Sequence, residues 1–233
     1  MRIAYIGPKH REQALQAFVG PGFTVEAHLP AGMPQSIESM WEEYLSVPGF
    51  LEKAVDLERD GVDAIVHGCF GDPGIDGARE LLSIPVLGSG ATSMCVAANL
   101  SHRFSIITVL ENIIRPLENL ARLTGVDNKL ASVRQIGIPV LELSQDPDGT
   151  FTKLVSASRR VIEEDSADAL VLGCGTLSFR AAELQERVGV PVLNPLQVTL
   201  RTAELLLSCG LSHSKRSYPV PPKLAVAYHR AAS

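Results

Sequence analysis

Asp63-Ala64-Ile65-Val66-His67-Gly68-Cys69 is matched 105 residues further on by Asp168-Ala169-Leu170-Val171-Leu172-Gly173-Cys174. In each copy an aspartate opens a short, mostly aliphatic run that ends in glycine and cysteine. A run that is apolar on both alternating faces suits a parallel strand covered by helices on each side. After each cysteine come a helical segment and an x-Pro-Val-Leu strand, Ile84-Pro85-Val86-Leu87 in one half and Val190-Pro191-Val192-Leu193 in the other. Arg2-Ile3-Ala4-Tyr5-Ile6 and Arg103-Phe104-Ser105-Ile106-Ile107 open the two units in a weaker form of the same match. A repeat of this kind predicts two similar units.

Outward from the repeat, further strands are expected at Phe23 to Leu29 and Ile138 to Leu143, with helical patterns filling most of the gaps. The fold class is therefore α/β: two similar domains with parallel sheets flanked by helices, pseudo-twofold related, and a site in the cleft between them. The first domain is expected to comprise residues 1–98 plus 196–233, and the second residues 99–195. Leu29 to Pro48, with three prolines and the only tryptophan, reads as a long loop leading into a helix. Such loops tend to act as lids, with Met40 and Trp41 placed to close it. Ser212 to Ser233, with Pro219, Pro221 and Pro222, reads either as a strap over a surface or a neighbouring subunit or as a loosely ordered tail.

With 45% apolar residues in 233, the chain can bury a sizeable core, which excludes a disordered protein. Net charge is −5 and no basic run exceeds Lys215-Arg216, so the footprint of a nucleic-acid binder is missing and a small-molecule ligand is expected. The apolar N-terminus breaks at Gly7-Pro8, too short for a signal segment or a membrane span, which points to the cytoplasm. Four cysteines without a C-x-x-C pair suggest neither zinc nor a disulfide framework.

Cys69 and Cys174 stand at the C-terminal ends of parallel strands, where open α/β sheets place ligands. Gly71-Asp72-Pro73 reads as a helix start with Asp72 as N-cap, which would lower the Cys69 thiol pKa. For Cys174 a helix is expected after Thr176 or Ser178. The neighbouring glycines let backbone N–H groups approach an anion. If the units face each other, two thiols across one cleft suit removal of a proton from one face of a carbon and delivery to the other. Amides around the glycines would then hold the developing enolate charge. Cys95 and Cys209 lack repeated counterparts and read as structural.

Gly68-Cys69-Phe70-Gly71-Asp72-Pro73-Gly74-Ile75-Asp76 with Ala78-Arg79-Glu80, Leu172-Gly173-Cys174, Ser36-Ile37-Glu38, Val47-Pro48-Gly49, His102-Arg103-Phe104-Ser105 and Ser214-Lys215-Arg216 with Tyr218 together resemble the aspartate/glutamate/hydantoin racemase superfamily. The likeness is greatest to its hydantoin and allantoin racemase branch. The resemblance implies two α/β domains, cofactor-independent racemisation, a homo-oligomer, and Cys69 and Cys174 as the acid and base. Phe70, Gly71, Gly175, Thr176, Thr108 and Pro8 are the candidates for holding substrate. The chain departs from the branch at Gly7-Pro8-Lys9, where Asn-Pro-Asn is usual, at Gly88 to Thr92, and at Gly175-Thr176-Leu177. Lys9, if inward, would favour an anionic substituent.

The expected activity is inversion at C5 of a 5-substituted hydantoin or similar cyclic ureide. An amino-acid racemase of the same superfamily and a non-catalytic small-ligand binder are the alternatives. Gly88-Ser89-Gly90-Ala91-Thr92-Ser93 imitates a dinucleotide fingerprint but has serine for the third glycine. His67 would share a strand face with Cys69, yet nothing in the sequence orients it as a hydrolase base, and no second cluster completes a metal site with Cys69 and Asp72.

Overall fold

The computed structural model describes residues 1–222. The first half contains β1 (Arg2–Ile6), α1 (Glu12–Gln16), β2 (Thr24–His28), α2 (Met40–Arg59), β3 (Ala64–His67), α3 (Ile75–Leu81), β4 (Val86–Gly88) and α4 (Ser89–Leu100). The second contains β5 (Phe104–Thr108), α5 (Ile114–Thr124), β6 (Leu130–Gln135), α6 (Pro147–Asp165), β7 (Ala169–Leu172), α7 (Ala181–Val188), β8 (Val192–Leu193) and α8 (Pro195–Ser208). Two all-parallel four-stranded sheets result, β2-β1-β3-β4 and β6-β5-β7-β8, with the same order.

The repeated aspartates show why the halves fold alike. Asp63 accepts the Arg2 amide at 2.6 Å and its own amide donates to the Arg2 carbonyl, clamping β1 beside β3. Asp168 does the same for Arg103 at the start of β5. Side chains along β1 alternate faces: Ile3 and Tyr5 enter one core cluster, Ala4 and Ile6 the other. Fully burying one such aliphatic side chain contributes about 1.5–3 kcal/mol, which is why these strands carry no polar alternation.

The helices that end each half are exchanged. Met94, Ala97 and Ala98 of α4 pack with Phe104, Ile106, Val171 and Leu193 of the second sheet, whereas Leu196, Leu200 and Ala203 of α8 pack with Ile3, Tyr5 and Val66 of the first. This reciprocity is what a pseudo-twofold relation between the halves requires. The expected boundary after residue 98 thus falls inside a helix that belongs, by its packing, to the second sheet.

Three local expectations are corrected. The segment 138–143 is not a strand; Val140–Glu142 form a single 3-10 turn, Ile138, Val140 and Leu143 pad the second core while Leu141 faces solvent, and the strand beside β5 is β6. That strand pairs only with β5 and carries Arg134 and Gln135, so it lacked the aliphatic signal of a central strand. The helix expected after Pro48 begins at Met40, capped by the Ser39 hydroxyl, and runs through Pro48 on its solvent side. Finally, Asp72 does not start a helix. It sits at φ +56°, and α3 begins at Ile75 behind Gly74 at φ +78°.

From Ser212 the chain runs back over its own first half. His213 Nε2 accepts the Val86 amide at 2.9 Å, Lys215 Nζ donates to the carbonyls of Arg79, Glu80 and Leu82 at the end of α3, and Tyr218 stacks on and hydrogen-bonds Arg79. Lysine at a helix C-terminus satisfies carbonyls that have no partner within the helix. The strap is therefore structural as far as Pro222, and the rest of the expected tail lies outside the described residues.

Candidate active site

Gly68 and Gly173 finish their strands by donating to Ile6 and Ile107, and the next residue in each half is the cysteine. Cys69 and Cys174 line one cavity of about 390 Å³ between the halves. The two turns come close, since a β-carbon on Gly175 would lie 3.6 Å from the Gly68 carbonyl. Of the substrate-holding candidates, Pro8, Phe70, Gly71, Gly175 and Thr176 line the same cavity. Thr108 does not: it is fully buried behind Gly173, and Val109 takes its place on the wall.

The roof is the loop before α2, through Leu29, Met33, Pro34, Gln35, Ser36 and Ile37. Glu38 fastens this loop to the second half by accepting the Val140 amide through its carboxylate and the Asn112 side-chain amide through its carbonyl. Met40 and Trp41, expected to close the lid, instead face solvent, Trp41 at 69% exposure. They fall on the helix rather than on the loop, and the helix turns them away. Lys9 is likewise exposed and off the cavity wall.

Behind Gly7 and Gly68, off the cavity wall itself, lies Tyr5, fully buried. A β-carbon on Gly7 or Gly68 would lie 2.5 or 2.6 Å from its ring or hydroxyl, so both positions must lack a side chain. Burial pushes the phenol pKa up, and its oxygen accepts from Arg11 Nη1 at 3.2 Å. Arg11 continues across the cleft, donating through Nη2 to Thr176 Oγ1 at 2.6 Å.

The Cys69 turn is held by α4, the helix that ends its own half and packs on the second sheet. Asp72 accepts the amides of Gly90 and Ala91 at the start of α4, and Ser89 donates to the Cys69 carbonyl. Burial pushes the Asp72 carboxyl up to about 7 against those two hydrogen bonds. The α4 N-terminus, the likeness of a dinucleotide site, already holds an internal carboxylate. A β-carbon on Gly88 would lie 2.3 Å from that carboxylate and one on Gly90 2.1 Å from the Phe70 carbonyl, so the glycines serve this packing. Phe70 is driven into the second core beside Met94 and Leu117.

Burial also dominates at the thiol. The Gly71 amide points at Cys69 and favours its thiolate, but desolvation, with Glu43, Asp72 and Cys174 nearby, pushes the thiol pKa well up. The lowering expected from a helix end is therefore reversed. Glu43, on α2, lies so close to Gly71 that a β-carbon there would sit 2.1 Å from Oε1, and burial lifts its carboxyl to about 7. His67 is 1% exposed, edge-on to Phe50, and its Nδ1 accepts the Cys69 amide at 3.0 Å. Burial lowers its pKa to about 4, so the ring is neutral near pH 7 with its proton on Nε2. With its lone pair committed to an amide, it is no base for a thiol.

The Cys174 turn is organised differently. Ser178 donates to the Gly175 carbonyl, Asn194 donates to the Ser178 carbonyl, and the Asn194 oxygen caps α8 through the amides of Leu196 and Gln197. The turn after Cys174 opens at Leu177, as expected. Cys95 and Cys209, read as structural, are exposed. Among the described residues no group of three His, Cys, Asp or Glu side chains is disposed to hold a metal, and no helix is long and apolar enough to cross a membrane.

Tyr5, Arg11 and Glu43 were not foreseen. Arg11 follows the Gly-Pro turn without a local motif, and Glu43 is adjacent to Glu42, which instead receives the Ser39 hydroxyl and the Glu38 amide. Only the phase of α2 separates the two acids.

A two-unit α/β protein with a thiol from each unit in a shared cleft has the layout of a racemase fold. The Asp/Glu/Hydantoin racemase family matches residues 9–203. A hydantoin racemase of Pseudomonas sp. (strain NS671) is 35% identical over 231 residues, covering 96% of this chain and 93% of that protein. A hydantoin racemase of Rhizobium meliloti is 38% identical over 207 residues, covering 88% and 86%. The structure of allantoin racemase from Klebsiella pneumoniae superposes with a TM-score of 0.91 at 32% identity, covering 95% of this chain and 94% of that one. The chain belongs to the Asp/Glu/hydantoin racemase family and is an isomerase of the racemase type.

Proposed function

We propose that the protein inverts the C5 stereocentre of a 5-substituted hydantoin or similar cyclic ureide, with Cys69 and Cys174 as the proton-transfer pair and no cofactor. The observation that carries this reading is the convergence of both thiols, from equivalent strand ends, on one cavity. The names of the relatives support the ureide class. In this reading one thiol takes the C5 proton while the other delivers a proton to the opposite face. Backbone amides of the Phe70-Gly71 and Gly175-Thr176 turns hold the charge that develops on the ring carbonyl, with Pro8 packing against the ring. Cys69, disfavoured as a thiolate, starts with its proton.

The division into residues 1–98 plus 196–233 and 99–195 belongs to the same reading, adjusted for α4, as do a cytoplasmic location, suited to four free thiols, and a homo-oligomer. A row of exposed apolar side chains on α2, Met40, Trp41, Tyr44 and Leu45, supports association of copies.

The test is proton NMR in D2O with optical rotation on single enantiomers of a 5-alkylhydantoin, allantoin, aspartate and glutamate, against heat-inactivated protein. Exchange at the stereocentre with loss of rotation is expected for the ureides. Exchange for the amino acids alone would move the protein to the amino-acid branch, and binding without exchange would make it a binder.

A further inference from the structure

Arg11 is a cation in the cleft with no anion beside it. Its two terminal nitrogens donate to neutral hydroxyls, Tyr5 and Thr176, and the guanidinium lies 5.8 Å over the Phe179 ring. No carboxylate of the described residues pairs with it, and its Nε, shielded from solvent, has no partner at all. A guanidinium offers five N–H donors, so this one keeps unused donors at the cavity wall. A charge partly withdrawn from water without a counterion is unfavourable, and an anionic ligand group would relieve it.

The surroundings give that group a direction. A second hollow of about 420 Å³ adjoins the first, and the two share His10, Arg11 and Thr176. Its walls add Phe151, Phe179 and Arg180, and among the described residues no acidic one lines it. In the main cavity the acidic lining residue is Glu43, against the Cys69 turn. The cleft is thus polarised, with a carboxyl suited to ring N–H donors on one side and a guanidinium on the other.

Building on the ureide racemase reading, we propose that Arg11 is a specificity-determining residue that receives a carboxylate carried on the C5 substituent, so that hydantoins with acidic side chains are the preferred substrates. A bidentate or charge-assisted contact from guanidinium to carboxylate is strong and directional, and it fixes which face of the ring meets which thiol. The substituent extends past Arg11 towards the second hollow.

The test compares 5-(carboxymethyl)hydantoin with the similarly sized, neutral 5-isobutylhydantoin in wild-type protein, Arg11→Gln and Arg11→Lys, reading C5 exchange in D2O. Wild type is expected to favour the acid by roughly tenfold or more in kcat/KM, mainly through KM. Arg11→Gln should lose that preference, its kcat/KM for the acid falling at least tenfold further than its kcat/KM for the neutral substrate, and Arg11→Lys should restore part of it. A wild type that favours the neutral hydantoin, or a preference that survives in Arg11→Gln, overturns the proposal. If neither hydantoin exchanges, the ureide racemase reading falls, and calorimetric binding of the same two compounds to wild type and Arg11→Gln decides the Arg11 inference separately. Tighter binding of the acid that depends on Arg11 supports it; equal or absent binding overturns it.

Discussion

The turns that present Cys69 and Cys174 share a backbone plan and differ in charge. Each follows the last ladder hydrogen bond of a central strand, and each cysteine is preceded by glycine. Around Cys69, however, lie the buried Asp72 carboxyl, the half-buried Glu43 carboxyl and a neutral imidazole, and the turn is tied through Asp72 to α4, the helix that packs on the second sheet. Around Cys174 lies the guanidinium of Arg11, and the turn is tied to its own downstream asparagine. Duplication placed a thiol at the same strand end of each half, and divergence made their surroundings unequal. Burial biases the Cys69 thiol to hold its proton, and in the proposed reading a ureide enters between a carboxyl and a guanidinium.

The sharpest way to break this comparison is to remove each thiol in turn. Cys69→Ala and Cys174→Ala should each reduce racemisation by roughly 10²–10⁴-fold or more while the circular dichroism spectrum stays that of wild type. Each variant should exchange the C5 hydrogen of one enantiomer at most, and not the same one. Full turnover by either variant would end the two-thiol reading.

A smaller effect separates the glycines. Alanine at Gly68 would meet a fully buried ring, with Tyr5 atoms at 2.6–2.7 Å, whereas alanine at Gly175 would first meet Arg11 Nη1, the end of a flexible side chain. Gly68→Ala is expected to lower unfolding free energy by about 1–3 kcal/mol in urea titrations, as overpacking does. Gly175→Ala should cost less stability and act on KM by displacing Arg11. Equal losses of stability would show that the surroundings of the two glycines are equally rigid.

The smallest effect is a pH dependence on the Cys69 side. The folded protein binds the Glu43 proton more tightly than the unfolded chain does, with a pKa of about 7 against an ordinary value near 4.5. The associated stability is fully present below the unfolded value and is lost as pH rises through about 7. Glu43→Gln removes that loss, so its stability relative to wild type should rise between these limits. Loss of the Glu43 charge also eases Asp72, whose carboxyl that charge helps to raise, so its contribution adds with the same sign. Parallel stability curves would mean that Glu43 is freely solvated.

Much of the architecture was readable along the chain. The aspartate-to-cysteine repeat marked β3 and β7, since a central parallel strand must be aliphatic on both faces. The same logic failed at the edge, where β6 carries polar residues and the apolar segment 138–143 pads a core without being a strand. Of the expected site, Pro8, Phe70, Gly71, Gly175 and Thr176 reach the cavity because they adjoin strand ends. Thr108 stops one residue short because alternation turns it inward.

By itself the sequence determined the duplication, the α/β class and the equivalent strand-end positions of Cys69 and Cys174, because these depend on local pattern and on spacing. Tertiary structure alone decided that α4 and α8 change partners, that Asp72 caps a helix 18 residues away, that Glu43 rather than Glu42 faces the cavity, and that Arg11 crosses to Thr176. The physical reason is range. Strand and helix periodicity report a residue's immediate neighbours, whereas burial and charge at a cleft are set by groups that meet only once both sheets have formed.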